Sequence, residues 1–171
     1  MGRASVRKNK NIYQIRREEL GLTREKAAEQ MEGLTPERIE KIESEKSLPH
    51  PDEVLLMAKG YRAPELCNYY CSTECPIGQK YVPGIEPRSL SEIVLEMLAS
   101  LNVMQKSRDR LIEITSNGRV EDDEVEDFVR IQAELERISV SVEALQLWAE
   151  RMLAEGKIDL ELYQKCLKER E

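Results

Sequence analysis

Between residues 24 and 46 the chain gathers side chains able to grip a polyanion: Arg24, Arg38, Lys41 and Lys46 supply two planar guanidinium forks and two ammonium groups. A guanidinium pairs with two phosphate oxygens, or with the O6/N7 edge of a guanine, in one plane, whereas an ammonium acts as a point charge. Arg38 is therefore the candidate for a bidentate base contact, and Arg24, Lys41 and Lys46 for phosphates. Three carboxylates, Glu37, Glu40 and Glu45, stand among them. They repel phosphate and accept hydrogen bonds only from cytosine or adenine amino groups, so this stretch is electrostatically mixed.

A second group is chemically soft. Cys67, Cys71 and Cys75 recur at intervals of four, so on a continuous helix the first two share a face, while Pro76 marks where the chain leaves it. A zinc ion or iron–sulfur cluster normally takes four such ligands, and only Cys166, distant in sequence, and His50, the only histidine, remain to complete a set. The spacing matches no zinc-ribbon pair. Free thiols pack well, and burial beside Leu66, Tyr69 and Tyr70 is the simpler role. No metal or other cofactor is therefore assigned, with Cys67, Cys71 and Cys75 kept as candidates for metal or oxidant sensing. Structural disulfides are not expected in a reducing compartment.

The elements that must position the cationic groups are legible. Thr23 precedes a run of helix formers and caps a helix beginning near Arg24, with Ala27, Ala28 and Met31 on its apolar face. Gly33 interrupts that pattern and permits a turn. Thr35 then caps a second helix with Pro36 at its first position, where the missing N–H does no harm, and with Glu37 and Glu40 near its positive end. Ile39 and Ile42 face inward, which turns Glu37, Arg38, Lys41 and Glu45 outward.

This stretch resembles the helix-turn-helix of the Cro and phage-repressor type, the XRE family. The resemblance rests on Ile15 and Arg17 in a leading helix, Leu20-Gly21-Leu22-Thr23, Ala28, and then Thr35, Ile39, Ile42 and Glu43. Pro51 to Tyr61, with Leu55, Leu56 and Ala58, fits the family's fourth helix, so the likeness covers about residues 9 to 71. It implies a scaffold ion pair between Arg17 and Glu43 and a second helix-turn-helix element lying in the major groove. The positions implied to meet DNA are Arg24, Thr35, Pro36, Glu37, Arg38, Lys41 and Lys46. Departures from the family are Arg24 where Gln is usual, Glu40 where a small polar residue is usual, and Glu45 where Gly is usual.

Charge is distributed unevenly. Residues 1–48 hold 11 Lys plus Arg against 9 Asp plus Glu, residues 49–76 hold 2 against 4, and residues 77–171 hold 13 against 20. Only the first segment is basic. Its arm, residues 1–10, carries Arg3, Arg7, Lys8 and Lys10 without an acid, which suits either a groove-following strand or a solvated terminus.

A Pro- and Gly-containing linker over residues 77–88 separates the expected helix-turn-helix domain, 11–76, from a helical segment, 89–171. Ser89 or Ser91 caps a helix with apolar positions Leu90, Val94, Met97, Leu101, Met104 and Leu111, closed by Asn117-Gly118. A second helix follows Glu121-Asp122-Asp123 and runs to Gly156 with a coiled-coil seam of Phe128, Ile131, Leu135, Ile138, Val142, Leu145, Ala149 and Met152. A third, residues 159–169, gathers Leu160, Leu162, Tyr163 and Cys166. The fold class is all-α: a lambda-repressor-like bundle followed by a long-helix hairpin or three-helix segment. Two such amphipathic helices cannot bury both seams alone. Either the third helix completes an intramolecular bundle or a second copy of the chain completes a homodimer, and DNA reading at paired half-sites favours the dimer.

No apolar run approaches the roughly 20 residues a membrane helix needs, and no signal peptide is evident, so a cytoplasmic protein is expected. Enzymatic chemistry is not supported: the lone His50 has no nucleophile arrangement around it, and the glycines form no phosphate loop. The expectation is a transcriptional regulator binding double-stranded DNA at a two-fold symmetric site. The competing reading is a protein-interaction module whose helix-turn-helix face has turned acidic and no longer binds DNA.

Overall fold

The structure, a computed structural model, describes residues 10–169. The described residues form nine α-helices, one π-helical turn and no strand. Of the basic arm only Lys10 lies within them. The chain divides into two compact units, one of residues 1–84 with 149–171 and another of residues 85–148.

The first unit opens with four helices: α1 (Ile12–Glu19), α2 (Arg24–Gln30), α3 (Pro36–Glu43) and α4 (Pro51–Gly60). Each of the first three starts is fixed by local chemistry. Asn11 Oδ1 accepts from the Gln14 amide at 3.0 Å, Thr23 Oγ1 from Lys26 at 3.3 Å and Thr35 Oγ1 from Arg38 at 3.2 Å. Each cap satisfies an amide that the helix leaves without an internal partner. Gly33 sits at φ 107, which an L side chain rarely tolerates, and there the chain reverses between α2 and α3. The apolar faces converge on one core containing Tyr13, Ala27, Ile39, Ile42, Met57 and Leu66.

Helix α5 (Glu65–Tyr69) runs into a π-helical turn, Tyr70–Glu74, and the short α6 (Gly78–Tyr81) follows. The π turn closes through the Cys75 amide, which donates to the Tyr70 carbonyl at 2.9 Å across five residues. The helix entered at Glu65 thus continues past Cys71 as a π turn, which adds a residue and shifts the four-residue register, and it ends just before Pro76. α6 packs so closely on that turn that a Cβ on Gly78 would lie 2.0 Å from the Cys71 carbonyl oxygen. The segment expected to be a plain linker thus carries a helix of its own.

In the second unit α7 (Leu90–Thr115) starts at a full capping box. Ser89 Oγ accepts from the Glu92 amide at 3.3 Å, and Glu92 Oε2 accepts from the Ser89 amide at 2.9 Å. α8 (Val125–Ala154) packs along it, and Arg110 Nε reaches Asp127 Oδ2 at 2.7 Å across the pair. The buried line of α7 runs through Ile93, Ser100 and Ile114, with Met97, Met104 and Leu111 half-buried. On α8 it runs through Ile131, Ser141 and Ala144. The expected seams hold in part: Met97, Met104 and Leu111 on α7 and Phe128, Ile131, Ile138, Leu145, Ala149 and Met152 on α8 are buried or half-buried, whereas Leu90, Val94 and Leu101 on α7 and Leu135 and Val142 on α8 are exposed. Both helices carry a second apolar stripe, and the hairpin buries the one that includes small residues, which allow close approach of the backbones. The last helix, α9 (Leu160–Lys168), capped by Asp159, buries none of its residues, and Leu160 and Leu162 are exposed.

Candidate nucleic-acid interface

Three devices hold α3. The first is a buried ion pair. Arg17 of α1 donates through Nε to Glu43 Oε1 at 2.5 Å and through Nη2 to Glu43 Oε2 at 2.9 Å, and through Nη1 to the Leu22 carbonyl at 2.6 Å. The side chains are 8% and 1% exposed, so each charge depends on the other for solvation. The second is Arg24 of α2, whose Nε donates to Glu43 Oε2 at 2.9 Å. The third is Asn11, whose Nδ2 donates to the Ile42 carbonyl at 2.8 Å and so ties the start of α1 to the end of α3.

Arg38 forms a further clamp. Its Nε and Nη2 donate to the two Glu53 carboxylate oxygens at 2.6 Å each, Nη1 to Ser47 Oγ at 2.7 Å, and Nη2 also to the Leu48 carbonyl at 2.9 Å. Glu53 in turn accepts from the His50 amide at 2.7 Å, fixing the start of α4. The Arg38 hydrogen bonds hold the Glu53 carboxyl below the usual carboxylate range, and Glu53 pushes the Arg38 guanidinium up. The fork assigned from sequence to a guanine edge is thus filled by Glu53, and reading a base would require breaking a bidentate pair. His50 is the residue capping α4, not part of a ligand set.

With Arg38 turned to the scaffold, the exposed face of α3 consists of Thr35, Glu37, Glu40 and Lys41, with Glu45 and Lys46 just beyond its end. Pro36 is half-buried at the first helical position. Glu40 lies 4.0 Å from Arg24 Nη1 and 3.9 Å from Lys46 Nζ, so its charge is partly matched by two of the assigned phosphate groups. Glu37 and Glu45 have no ion pair among the described residues. Glu45 adopts φ 59, a left-handed backbone at the position where the family resemblance expects Gly.

Cys67 and Cys71 lie near enough for one thiol to bear on the other. Among the described residues no group of three His, Cys, Asp or Glu side chains could hold a metal ion. Cys67 packs against the core with Tyr69 and Tyr70, and burial pushes its thiol up. Cys75 Sγ accepts from the Gly78 amide at 3.4 Å. The contacts that sequence reasoning does not find are those of Arg38 with Glu53 and of Arg24 with Glu43; their only signal is the abundance of both charges at these elements.

A short, capped, partly exposed helix set across a preceding helix by a glycine turn, and locked by a buried Arg–Glu pair, defines a helix-turn-helix domain. Residues 12–65 match the family model described as Helix-turn-helix, and the N-terminal part of this chain is an XRE-type helix-turn-helix domain. Such domains are found in DNA-binding transcription regulators. No curated protein and no solved structure matches the chain. No helix among the described residues is long and apolar enough to cross a membrane.

Proposed function

We propose that the protein is a sequence-specific transcription regulator that reads a two-fold symmetric DNA site as a homodimer joined through α7 and α8. The observation that carries the reading is the helix-turn-helix match over residues 12–65, with α3 presenting Thr35, Glu37 and Lys41 to solvent. Lys41 and Lys46 contact phosphates. Arg24 contributes a phosphate contact with the part of its guanidinium not spent on Glu43, and Pro36 and Thr35 bring the α3 N-terminus to the backbone. Glu37, at the exposed start of α3, accepts from a cytosine or adenine amino group, and Glu40 sits between its two cations. Arg38 acts by fixing the angle of α3. The pairing of two copies supplies the affinity that one small domain lacks.

Selection of bound fragments from random DNA tests this. The expected result is an enriched inverted repeat whose affinity falls with salt. Lys41→Ala should weaken every sequence alike and lower the salt slope by about 1. Absence of any retained DNA at low salt would sink the reading. The exposed carboxylates Glu37, Glu40 and Glu45 support the second reading, in which this face docks a basic protein surface; that outcome would appear as no DNA retained by the wild type.

A further inference from the structure

The π turn brings Cys71 and Cys75 together. A turn closed across five residues holds an extra residue, so four residues advance less along its axis than they do in an α-helix. The Cys75 amide donates to the Tyr70 carbonyl at 2.9 Å, so Cys75 begins one hydrogen bond away from the peptide that leads into Cys71. That step sets the two Cα atoms in the range of about 4.4–6.8 Å that a disulfide spans. Gly78 of α6 touches both residues. Its amide donates to Cys75 Sγ at 3.4 Å, and its Cα faces Cys71 so closely that a Cβ there would lie 2.9 Å from Cys71 Cα. Being glycine, it puts no side chain against either cysteine.

Cys67 is placed differently. Tyr69 and Tyr70, which separate it from Cys71, keep α-helical dihedrals. Residues four apart on an α-helix hold their Cβ atoms about 5–6 Å apart, wider than the roughly 3.5–4.5 Å of a disulfide. Cys67 also packs against the core, and burial pushes its thiol up, away from the thiolate form that reacts. Cys71 and Cys75 are half-buried, which leaves a small oxidant access to both. Cys75 has already left the helix: its backbone is extended, as suits a residue before proline, so its side chain is free of any following helical turn.

We infer that Cys71 and Cys75 are a redox-active dithiol that hydrogen peroxide converts to an intramolecular disulfide across the π turn. One sulfur attacks a peroxide oxygen and breaks the O–O bond, giving a sulfenic acid and one water. The other sulfur then displaces the sulfenic hydroxyl as a second water and forms the S–S bond. The two sulfurs together lose two electrons, the peroxide gains them, and both thiol protons end in water. A half-exposed bridge of this kind belongs to the reversible class rather than the structural one. It closes the turn that carries Glu74, whose carboxylate accepts from the Tyr13 hydroxyl of α1 at 3.0 Å, so the oxidised turn is one already tied to the helix-turn-helix core. The proposal is independent of DNA reading, and its test contains no DNA.

The test treats the reduced full chain with equimolar hydrogen peroxide, alkylates the remaining thiols, and reads the products by mass spectrometry after trypsin, which releases residues 63–80 as one peptide holding all three cysteines. That peptide should lose two hydrogens and carry its alkyl group on Cys67. The Cys71–Cys75 form should exceed the Cys67–Cys71 form by at least roughly tenfold in the folded chain. Both pairings close loops of the same length, so in the urea-unfolded chain the two forms should be about equally abundant. Dithiothreitol should restore all three thiols. A folded-chain ratio no higher than the unfolded one overturns the proposal, because the π turn would then select nothing. So does a predominance of bridges through Cys67, or the appearance of only free thiols and sulfinic or sulfonic acids without a bridge.

Discussion

Twelve apolar side chains are buried between residues 13 and 66, whereas the much longer α7 and α8 bury four and leave eleven large apolar side chains exposed. The helix-turn-helix domain has enclosed most of its hydrophobic surface within one chain and leaves Ile15, Leu20, Leu48 and Leu55 exposed. The hairpin has not, because two helices touch along one stripe each and each carries two. Isolated helices gain most of their stability from packing rather than from propensity, so an unfilled second stripe leaves α7 and α8 dependent on another surface. Stability of the first region should thus be independent of protein concentration, and that of the second should rise with it.

The sharpest way to break the self-contained region is Glu43→Ala. It strands Arg17 in the core and releases Arg24, and removing one partner of a buried pair costs about 3–5 kcal/mol. Urea unfolding followed by far-ultraviolet circular dichroism should show an early transition whose midpoint does not move with concentration. A loss below about 1 kcal/mol would show that water reaches the pair and that the domain is less enclosed than its burial implies.

Breaking the hairpin calls for charge on its exposed stripe. Leu135→Glu with Val142→Glu leaves the inner line of Ile131, Ser141 and Ala144 untouched and, under the homodimer reading, puts two carboxylates between the copies. We expect a loss of about 2–4 kcal/mol in association, read by sedimentation equilibrium, and loss of the concentration dependence of Trp148 fluorescence on unfolding. A wild-type chain that sediments as a monomer at every concentration would erase the difference between the two regions.

The same difference explains what can be read from sequence. The caps at Thr23 and Thr35, the Gly33 turn and the inward Ile39 and Ile42 follow from rules that act over three or four residues, and these elements are found as expected. The Arg17–Glu43 pair is implied only by resemblance. Arg38 escapes sequence reasoning because its partner Glu53 lies fifteen residues on, in the next helix, and an exposed-looking Arg on a helix carries no mark of what it will meet. On α7, Ile93 and Val94 are equally apolar neighbours, so periodicity alone does not choose between stripes; packing around Ser100 and Ser141 does. The π turn at Tyr70 has no composition signal that distinguishes it from α-helix.

The Arg38 clamp offers a smaller break within the enclosed region. Arg38→Ala removes hydrogen bonds to a carboxylate that is 14% exposed and should cost about 1.5–3 kcal/mol of stability, with affinity for all DNA sequences reduced together rather than one base position relaxed. Relaxation at a single base pair with unchanged stability would restore Arg38 as a reader. The clamp also sets an acid limit. Because the Glu53 pKa is held below its usual 4.5 in the folded chain, its stabilising contribution is fully present above pH 4.5 and is lost as pH falls through the lowered value. Glu53→Gln should therefore be less stable than wild type at neutral pH, and the difference should shrink as the solution is acidified below 4.5. A difference that stayed constant across the titration would mean that Glu53 is not preferentially ionised in the fold.

The smallest expected effect separates what the domain needs for folding from what it concedes elsewhere. Glu45 holds φ 59 at the exit of α3, where a side chain costs about 1–2 kcal/mol and glycine costs nothing sterically. Glycine gives back part of this through the extra freedom of the unfolded chain, about 0.5–1 kcal/mol. Glu45→Gly should thus stabilise the domain by about 0.5–1 kcal/mol, read as a higher urea midpoint at unchanged slope. The same change removes a carboxylate without an ion pair from beside Lys46, so under the regulator reading DNA affinity at low salt should rise as well. Under the protein-docking reading the stability gain remains, while binding of a basic partner falls. One substitution therefore moves stability in a fixed direction and binding in opposite directions, and the sign of the binding change tells whether the strained glutamate is kept against nucleic acid or for a cationic surface.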